Sequence, residues 1–253
     1  SIIYNIIQYN GNDFYIIVMR NVIGNLKDNI VAKFDLKGST TNRELKGIDM
    51  TKIDNDVMKD INFNDIEFAI MLSNRNIKLM RDITTKDSLF LAGLGLMDYS
   101  LFVVKLSLNK EESTEIFGEG IQEKQEKDYI QVITEKTVVG NNINDITNLD
   151  ISSMGRNSIR DDKTNKYAHY KTYLFPGLNI GTAYIISIIY FLQSYNFYKL
   201  VEYRYKPAIT GENADAKGGI SCVNPKLYSE RFINYVNEMT QTKHTIIGKN
   251  KEW

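Results

Sequence analysis

Apolar residues follow strand-like spacing in some segments of the chain and helical spacing in others. Dense β-branched and apolar runs predict strands at residues 13–22, 30–36, 97–105 and 181–192. Apolar residues three and four apart predict a helix over residues 74–94, with Ser73 as its N-cap. A second helix is predicted to begin at Asn224 and Pro225, because Asn caps helices and Pro suits the first helical position. Its apolar face consists of Tyr228, Phe232, Val236 and Met239. The pattern therefore predicts an α+β fold.

The segment from residue 106 to residue 170 is different, because polar and charged residues dominate it and apolar residues are thinly scattered. That composition predicts a flexible, low-complexity surface insertion, for which the simplest interpretation is an ordinary solvated loop. The chain is thereby divided into residues 1–105, the insertion at 106–170, and residues 171–253.

Composition narrows the classes of function. The 253 residues are 43% apolar, enough for a sizeable core. Lys plus Arg number 31 and Asp plus Glu number 31, so the basic excess typical of nucleic-acid-binding proteins is missing. The single Cys222 excludes an internal disulfide and favours a reducing compartment. No apolar run reaches the ~20 residues that a membrane-spanning helix needs.

Four sequence blocks occur in an informative order. In one-letter code they are FDLKGST at 34–40 with Arg43-Glu44, LMDYSL at 96–101, YIISIIYFLQ at 184–193, and VNP at 223–225 with YSERF at 228–232. In these blocks the chain resembles the phosphatidylinositol phosphate kinases. The resemblance implies a protein-kinase-related α+β fold that begins near the hinge and contains mainly the C-terminal lobe. We therefore expect the nucleotide lobe, with its glycine-rich loop and strand lysine, to lie upstream of Ser1.

The resemblance also implies catalytic and substrate-binding residues. Asp98 matches the catalytic aspartate that orients or deprotonates an inositol hydroxyl, whereas its structural alternative is to cap a turn. Lys37 and Arg43 match positions that face the phosphate of the lipid headgroup. Their structural alternative is a solvated pair of cations after a strand.

The nucleotide would lie near the start of the chain if the resemblance holds. Arg20, Asn21 and Val22 match the hinge that receives the adenine of ATP, largely through backbone groups. Phe102 and Ile189 match the apolar positions on either side of the adenine. Such residues in strands also serve simply as core.

Tyr190 is the main departure from the family pattern, because it stands where the family holds magnesium with an aspartate. Magnesium prefers hard, charged oxygen ligands, and a neutral phenol is a poor substitute. The chain is accordingly interpreted as a degenerate member with no metal ligand at this position.

Residues 197–217 match the family's activation-loop region and combine aromatic residues with the cations Lys199, Arg204, Lys206 and Lys217. A basic helix with aromatic residues can rest on an anionic membrane, which predicts a cytoplasmic protein peripheral to a membrane. The alternative is a surface helix packed through its tyrosines.

Two functions remain open on this basis. One is an enzyme that uses ATP and magnesium to phosphorylate the inositol ring of a phosphatidylinositol monophosphate. The other is an inactive pseudokinase that serves as a structural or headgroup-binding module in a larger assembly.

Overall fold

The computed structural model of the protein describes residues 2–19, 21–48, 56–66, 68–120, 173–195 and 223–241. The strands are β1 (Ile2–Tyr9), β2 (Asn12–Met19), β3 (Ile30–Leu36), β4 (Val57–Met58), β5 (Ser100–Ser107), β6 (Leu174–Pro176) and β7 (Thr182–Ile189). The helices are α1 (Asp60–Asp65), α2 (Asn74–Gly93), α3 (Lys110–Phe117) and α4 (Pro225–Gln241), and a 3₁₀ helix spans Gly24–Asn29. The α+β class is thus confirmed.

Strands β1 and β2 form a hairpin around Asn10 and Gly11, whose φ angles are 50° and 75°. Positive φ at both central residues is what a two-residue hairpin turn requires, and Asn-Gly supplies it at little cost. The sequence pattern predicts β2 but not β1, although the Asn10-Gly11 dipeptide is a signal for a hairpin. Strand β2 ends at Met19, within the apolar run predicted at residues 13–22.

The five remaining strands form a second sheet in the order β4-β3-β5-β7-β6. Strand β5 lies at its centre and pairs antiparallel with both β3 and β7. Alternate residues of β5 enter different cores: Leu101 and Val103 face the cluster that α2 and α4 complete, and Phe102 and Val104 face a second cluster. Burial on both faces explains why β5 reads as a continuous apolar run.

The two predicted helices are confirmed. Helix α2 begins after Ser73, whose hydroxyl accepts a 3.3 Å hydrogen bond from the backbone N–H of Asn76. Helix α4 begins at Pro225, and its predicted apolar face is buried at Tyr228, Phe232, Val236 and Met239. The two helices pack on the same face of the sheet.

Residues 106–117, which composition assigned to the start of a surface insertion, instead complete β5 and form α3. Helix α3 has a capping box: the Glu112 amide donates to Asn109 Oδ1 over 2.8 Å, and the Asn109 amide donates to Glu112 Oε2 over 2.9 Å. Ile116 then buries in the second cluster. The capping box and the single buried isoleucine contribute little when polarity is averaged over a long stretch of sequence, so composition alone does not reveal them. The remainder of the predicted insertion, residues 121–170, lies outside the described residues.

No helix in the described ranges has both the length and the apolarity to cross a bilayer.

Candidate functional site

The candidate site lies at one end of the three central strands. Leu36, the last residue of β3, pairs with Leu101 of β5, so that Lys37 emerges beside the segment that precedes β5. Ser100 pairs with Ile189, the last residue of β7, which brings Tyr190 to the same end. The Met97 amide also donates to the Gln193 carbonyl over 2.9 Å, so the chain after β7 follows the segment that contains Asp98.

Lys37 and Asp98 form an ion pair at this end of the sheet. Lys37 Nζ donates to Asp98 Oδ1 over 2.7 Å, although the residues are 61 positions apart in the sequence. Their side chains are 14% and 22% exposed, so both charged groups remain within reach of a ligand. The structure thus brings together the predicted catalytic carboxylate and one predicted headgroup cation.

The turn after Lys37 is fixed by a carboxylate that the sequence analysis missed. Asp60 Oδ1 accepts hydrogen bonds from the backbone amides of Lys37 and Gly38, over 2.9 and 2.8 Å. Asp60 is the first residue of α1, a helix of six residues. No local pattern distinguishes it from an ordinary surface aspartate, since its partners come from the turn after β3.

Arg43 is buried within the same network. Its Nε donates to Asp60 Oδ2 over 2.7 Å, and its Nη2 donates to Asp35 Oδ1 over 2.9 Å. Nη2 also donates to the Asp35 backbone carbonyl. Burial acts to lower the pKa of the Arg43 guanidinium, but the Asp60 and Asp35 carboxylates outweigh it and raise that pKa. In this arrangement Arg43 links Asp35 of β3 to Asp60 of α1, on which the Lys37 turn depends, and its side chain is 9% exposed.

Two residues of the site have left-handed backbone conformations. Asp98 has φ of 63° and Tyr190 has φ of 60°. Aspartate tolerates this region, whereas a bulky aromatic residue is rarely found there. Both lie at the same end of the β5–β7 pair, and such conformations in non-glycine residues concentrate at functional sites.

Tyr190 is 65% exposed to solvent. Among the residues that the structure describes, no group of three or more His, Cys, Asp or Glu side chains is placed to hold a metal ion. A magnesium ion in a kinase site is typically held by one or two carboxylates together with substrate phosphates and water, and the Tyr190 phenol does not supply such a carboxylate.

Three of the residues predicted to contact adenine lie around one apolar cluster. Phe102 is buried in the second core cluster, and Val22 and Ile189 pack against it while remaining partly exposed. Asn21 is exposed, and its Oδ1 accepts a 3.0 Å hydrogen bond from the Ile23 amide. Arg20 lies outside the described residues, as do the predicted membrane-contacting residues Lys199, Arg204, Lys206 and Lys217.

Comparisons with known proteins all match phosphatidylinositol phosphate kinases. Residues 2–239 match the family described as Phosphatidylinositol-4-phosphate 5-Kinase. Phosphatidylinositol 5-phosphate 4-kinase type-2 alpha from Rattus norvegicus is 29% identical over 237 residues, covering 92% of this chain and 54% of the relative. The Homo sapiens protein of the same name shows the same identity and the same two coverages. A probable phosphatidylinositol phosphate kinase from Dictyostelium discoideum is 26% identical over 254 residues, covering 94% of this chain and 34% of the relative. The chain thus spans about half the length of the rat and human relatives.

Proposed function

The chain belongs to the phosphatidylinositol phosphate kinase family, and we propose that it binds the headgroup of a phosphatidylinositol monophosphate at Lys37 and Asp98. We further propose that transfer of the ATP γ-phosphate to the inositol ring is weakened or lost because of Tyr190. The observation that carries the proposal is the 2.7 Å pairing of Lys37 with Asp98, since it puts a phosphate ligand beside a proton acceptor.

On the substrate side, each residue has a distinct role. The Lys37 ammonium would exchange its contact with Asp98 for a phosphate oxygen of the headgroup. Asp98 would accept a hydrogen bond from the attacking inositol hydroxyl and take its proton. The names of the relatives, phosphatidylinositol phosphate kinases and phosphatidylinositol 5-phosphate 4-kinases, support this class of lipid.

Arg43 takes a supporting role in the proposal. Its Nε and Nη2 groups are bonded to Asp60 and Asp35, and its side chain is 9% exposed, so a headgroup contact through either group would break these bonds and strand a buried carboxylate. The hydrogen bonds of Arg43 support a role in holding the Lys37 turn in place. Lys37 is then the main proposed ligand of the headgroup phosphate.

On the nucleotide side, the adenine of ATP would lie against Val22, Phe102 and Ile189, whose side chains offer an apolar surface. Arg20 and Asn21 complete this hinge. ATP would supply the phosphoryl group. The residue at position 190 is a tyrosine, however, and its phenol lacks the charged oxygen that a magnesium ion prefers.

The alternative is a pseudokinase that binds the headgroup, or serves as a structural part of a larger assembly, without any transfer. The tyrosine at position 190 favours this alternative, because its phenol does not supply the charged oxygen that a magnesium ion prefers. Both versions retain Lys37 as the headgroup ligand and a cytoplasmic location peripheral to a membrane. Both also assign contact with anionic lipid to Lys199, Arg204, Lys206 and Lys217.

The test is transfer of labelled γ-phosphate from ATP to vesicles that contain a phosphatidylinositol monophosphate. The longest polypeptide that contains this chain would be compared with its Asp98→Asn, Tyr190→Asp and Tyr190→Phe variants. We expect little or no transfer by the unchanged protein and by Tyr190→Phe, and a gain in Tyr190→Asp that Asp98→Asn removes when the two are combined. Brisk transfer by the unchanged protein that Tyr190→Asp does not raise would show that Tyr190 is not limiting. No transfer by any variant would favour the pseudokinase.

A further inference from the structure

Helix α4 contacts the two segments that carry Lys37 and Asp98, although it contributes neither residue. We propose that Tyr228 and Ser229 of α4 are positioning residues that hold the Asp98 carboxylate against the Lys37 ammonium. The functional meaning of this inference rests on the proposed headgroup site, but its structural content does not.

The first contact is made to the residue that follows Asp98. The Tyr228 hydroxyl donates to the backbone carbonyl of Tyr99. The two side chains are fully buried, and their rings meet edge to face with centroids 4.8 Å apart. Because the Tyr99 carbonyl is bonded to α4, the peptide plane after it cannot rotate freely, and the backbone that leads back to Asp98 is held in turn.

A chain of hydroxyl groups fixes the other end of Tyr99. Its phenol oxygen lies 2.6 Å from Ser88 Oγ of α2, and that oxygen lies 2.9 Å from Ser229 Oγ of α4. Ser88 and Ser229 are buried, so these hydrogen bonds do not compete with bulk water. The residue after Asp98 is therefore held at its carbonyl by one α4 residue and at its ring by another, through α2.

The second contact is made to the residue that follows Lys37. A Cβ atom on Gly38 would lie 2.8 Å from Tyr235 Cβ and 2.9 Å from its Cγ, so the ring of Tyr235 rests directly on the Gly38 backbone. Helix α4 consequently contacts the Lys37 turn through Tyr235, and it is hydrogen-bonded to the Asp98 segment through Tyr228 directly and through Ser229 by way of Ser88. Rigid placement of both segments by one helix is the kind of support that a preorganised charged site requires.

Thr240 provides a matched control on the same helix. Its hydroxyl is buried and accepts a 2.7 Å hydrogen bond from Arg81 Nε. It lies about 16 Å further along α4 than Ser229, at three turns' distance from the Asp98 contacts. Thr240→Ala therefore removes a comparable buried hydroxyl from α4 without touching the Asp98 segment.

The experiment measures how fast the Lys37 amine is acetylated by a soluble acetylating reagent, with mass spectrometry of the peptides and Lys110 as the internal reference. Tyr228→Phe and Ser229→Ala should each accelerate acetylation of Lys37 on the order of tenfold, the effect of loosening one charge-assisted hydrogen bond. Thr240→Ala should leave the ratio of Lys37 to Lys110 unchanged. Urea unfolding of each variant would be recorded, so that labelling is compared only where the native state predominates.

The outcomes separate this inference from the proposed function. Acceleration in Tyr228→Phe and Ser229→Ala, but not in Thr240→Ala, supports the positioning role whether or not the chain binds lipid. An unchanged Lys37 rate in both, or equal acceleration in Thr240→Ala, overturns it. If Lys37 labelling responds as expected while native binding to phosphatidylinositol monophosphate vesicles is undetectable, the positioning role stands and the proposed function fails.

Discussion

Replacing Gly38 with alanine tests the contact between the Lys37 turn and α4 most sharply. Gly38 has φ of 65°, and an alanine Cβ would meet Tyr235 Cβ at 2.8 Å and Cγ at 2.9 Å. Separations this short between carbon atoms are repulsive, and both partners are the rigid, near-backbone end of the Tyr235 side chain. The ring cannot withdraw unless α4 itself moves.

The expected loss has two parts. An L-residue in the left-handed region costs about 1–2 kcal/mol relative to glycine. Overpacking a close contact adds about 1–3 kcal/mol. Gly38→Ala should therefore lower the free energy of unfolding by about 2–5 kcal/mol in total.

Gly47 is the matched control, because its φ is 72° and an added Cβ would meet nothing within 4 Å. Gly47→Ala should cost only the backbone part, about 1–2 kcal/mol. The assay is urea unfolding followed by far-ultraviolet circular dichroism for both variants and for Gly38→Ala in a Tyr235→Ala background. In that background Gly38→Ala should cost no more than Gly47→Ala. Equal losses for the two single variants would refute the contact between Gly38 and Tyr235.

Three further predictions concern single side chains and pH. Tyr190→Asn should raise the free energy of unfolding on the order of 1 kcal/mol, because asparagine tolerates the φ of 60° and the exposed ring buries little. Tyr9→Asn, at an exposed strand position, should give no gain, and a loss in Tyr190→Asn would contradict the argument. Arg43→Met should cost about 3–5 kcal/mol by stranding buried Asp60, and much less in an Asp60→Asn background; additive losses in urea unfolding would argue against the pair. Burial raises the pKa of four tyrosines above the ordinary value of 10.0, so the stability that they contribute should be constant below about pH 9.5 and fall above pH 10, where unfolded tyrosine ionises. Absorbance at 295 nm should show that exposed tyrosines ionise in the folded state while part of the signal appears only on unfolding, and ionisation of every tyrosine in the folded state would refute the burial of these four: Tyr99, Tyr184, Tyr228 and Tyr235.

Local signals made much of the fold predictable. Ser73 before a helical apolar stripe predicts α2, and Asn224-Pro225 predicts the start of α4. The run at residues 30–36 coincides with β3 because its apolar residues are buried at alternate positions. Helix α3 was missed because a capping box and one buried Ile116 contribute little to the average polarity of a long window.

The site was predictable only where a sequence block carried it. Lys37 and Asp98 were identified through the blocks that contain them, and their pairing arises because β3 and β5 are neighbours in the sheet. Asp60 gave no such signal, since its importance comes from accepting two amides of a turn that is remote in sequence. The burial of Arg43 is likewise a tertiary property, because the same residue next to a strand could equally have faced solvent.

Binding to vesicles tests the central claim most directly, which is that Lys37 and Asp98 form a site for a phosphorylated inositol headgroup. Cosedimentation with phosphatidylcholine vesicles that contain a phosphatidylinositol monophosphate would be compared with vesicles that contain unphosphorylated phosphatidylinositol. The unchanged protein and its Lys110→Gln variant should prefer the phosphorylated lipid, whereas Lys37→Gln should lose most of that preference. Equal binding to the two vesicles, or an unchanged preference in Lys37→Gln, would contradict the account.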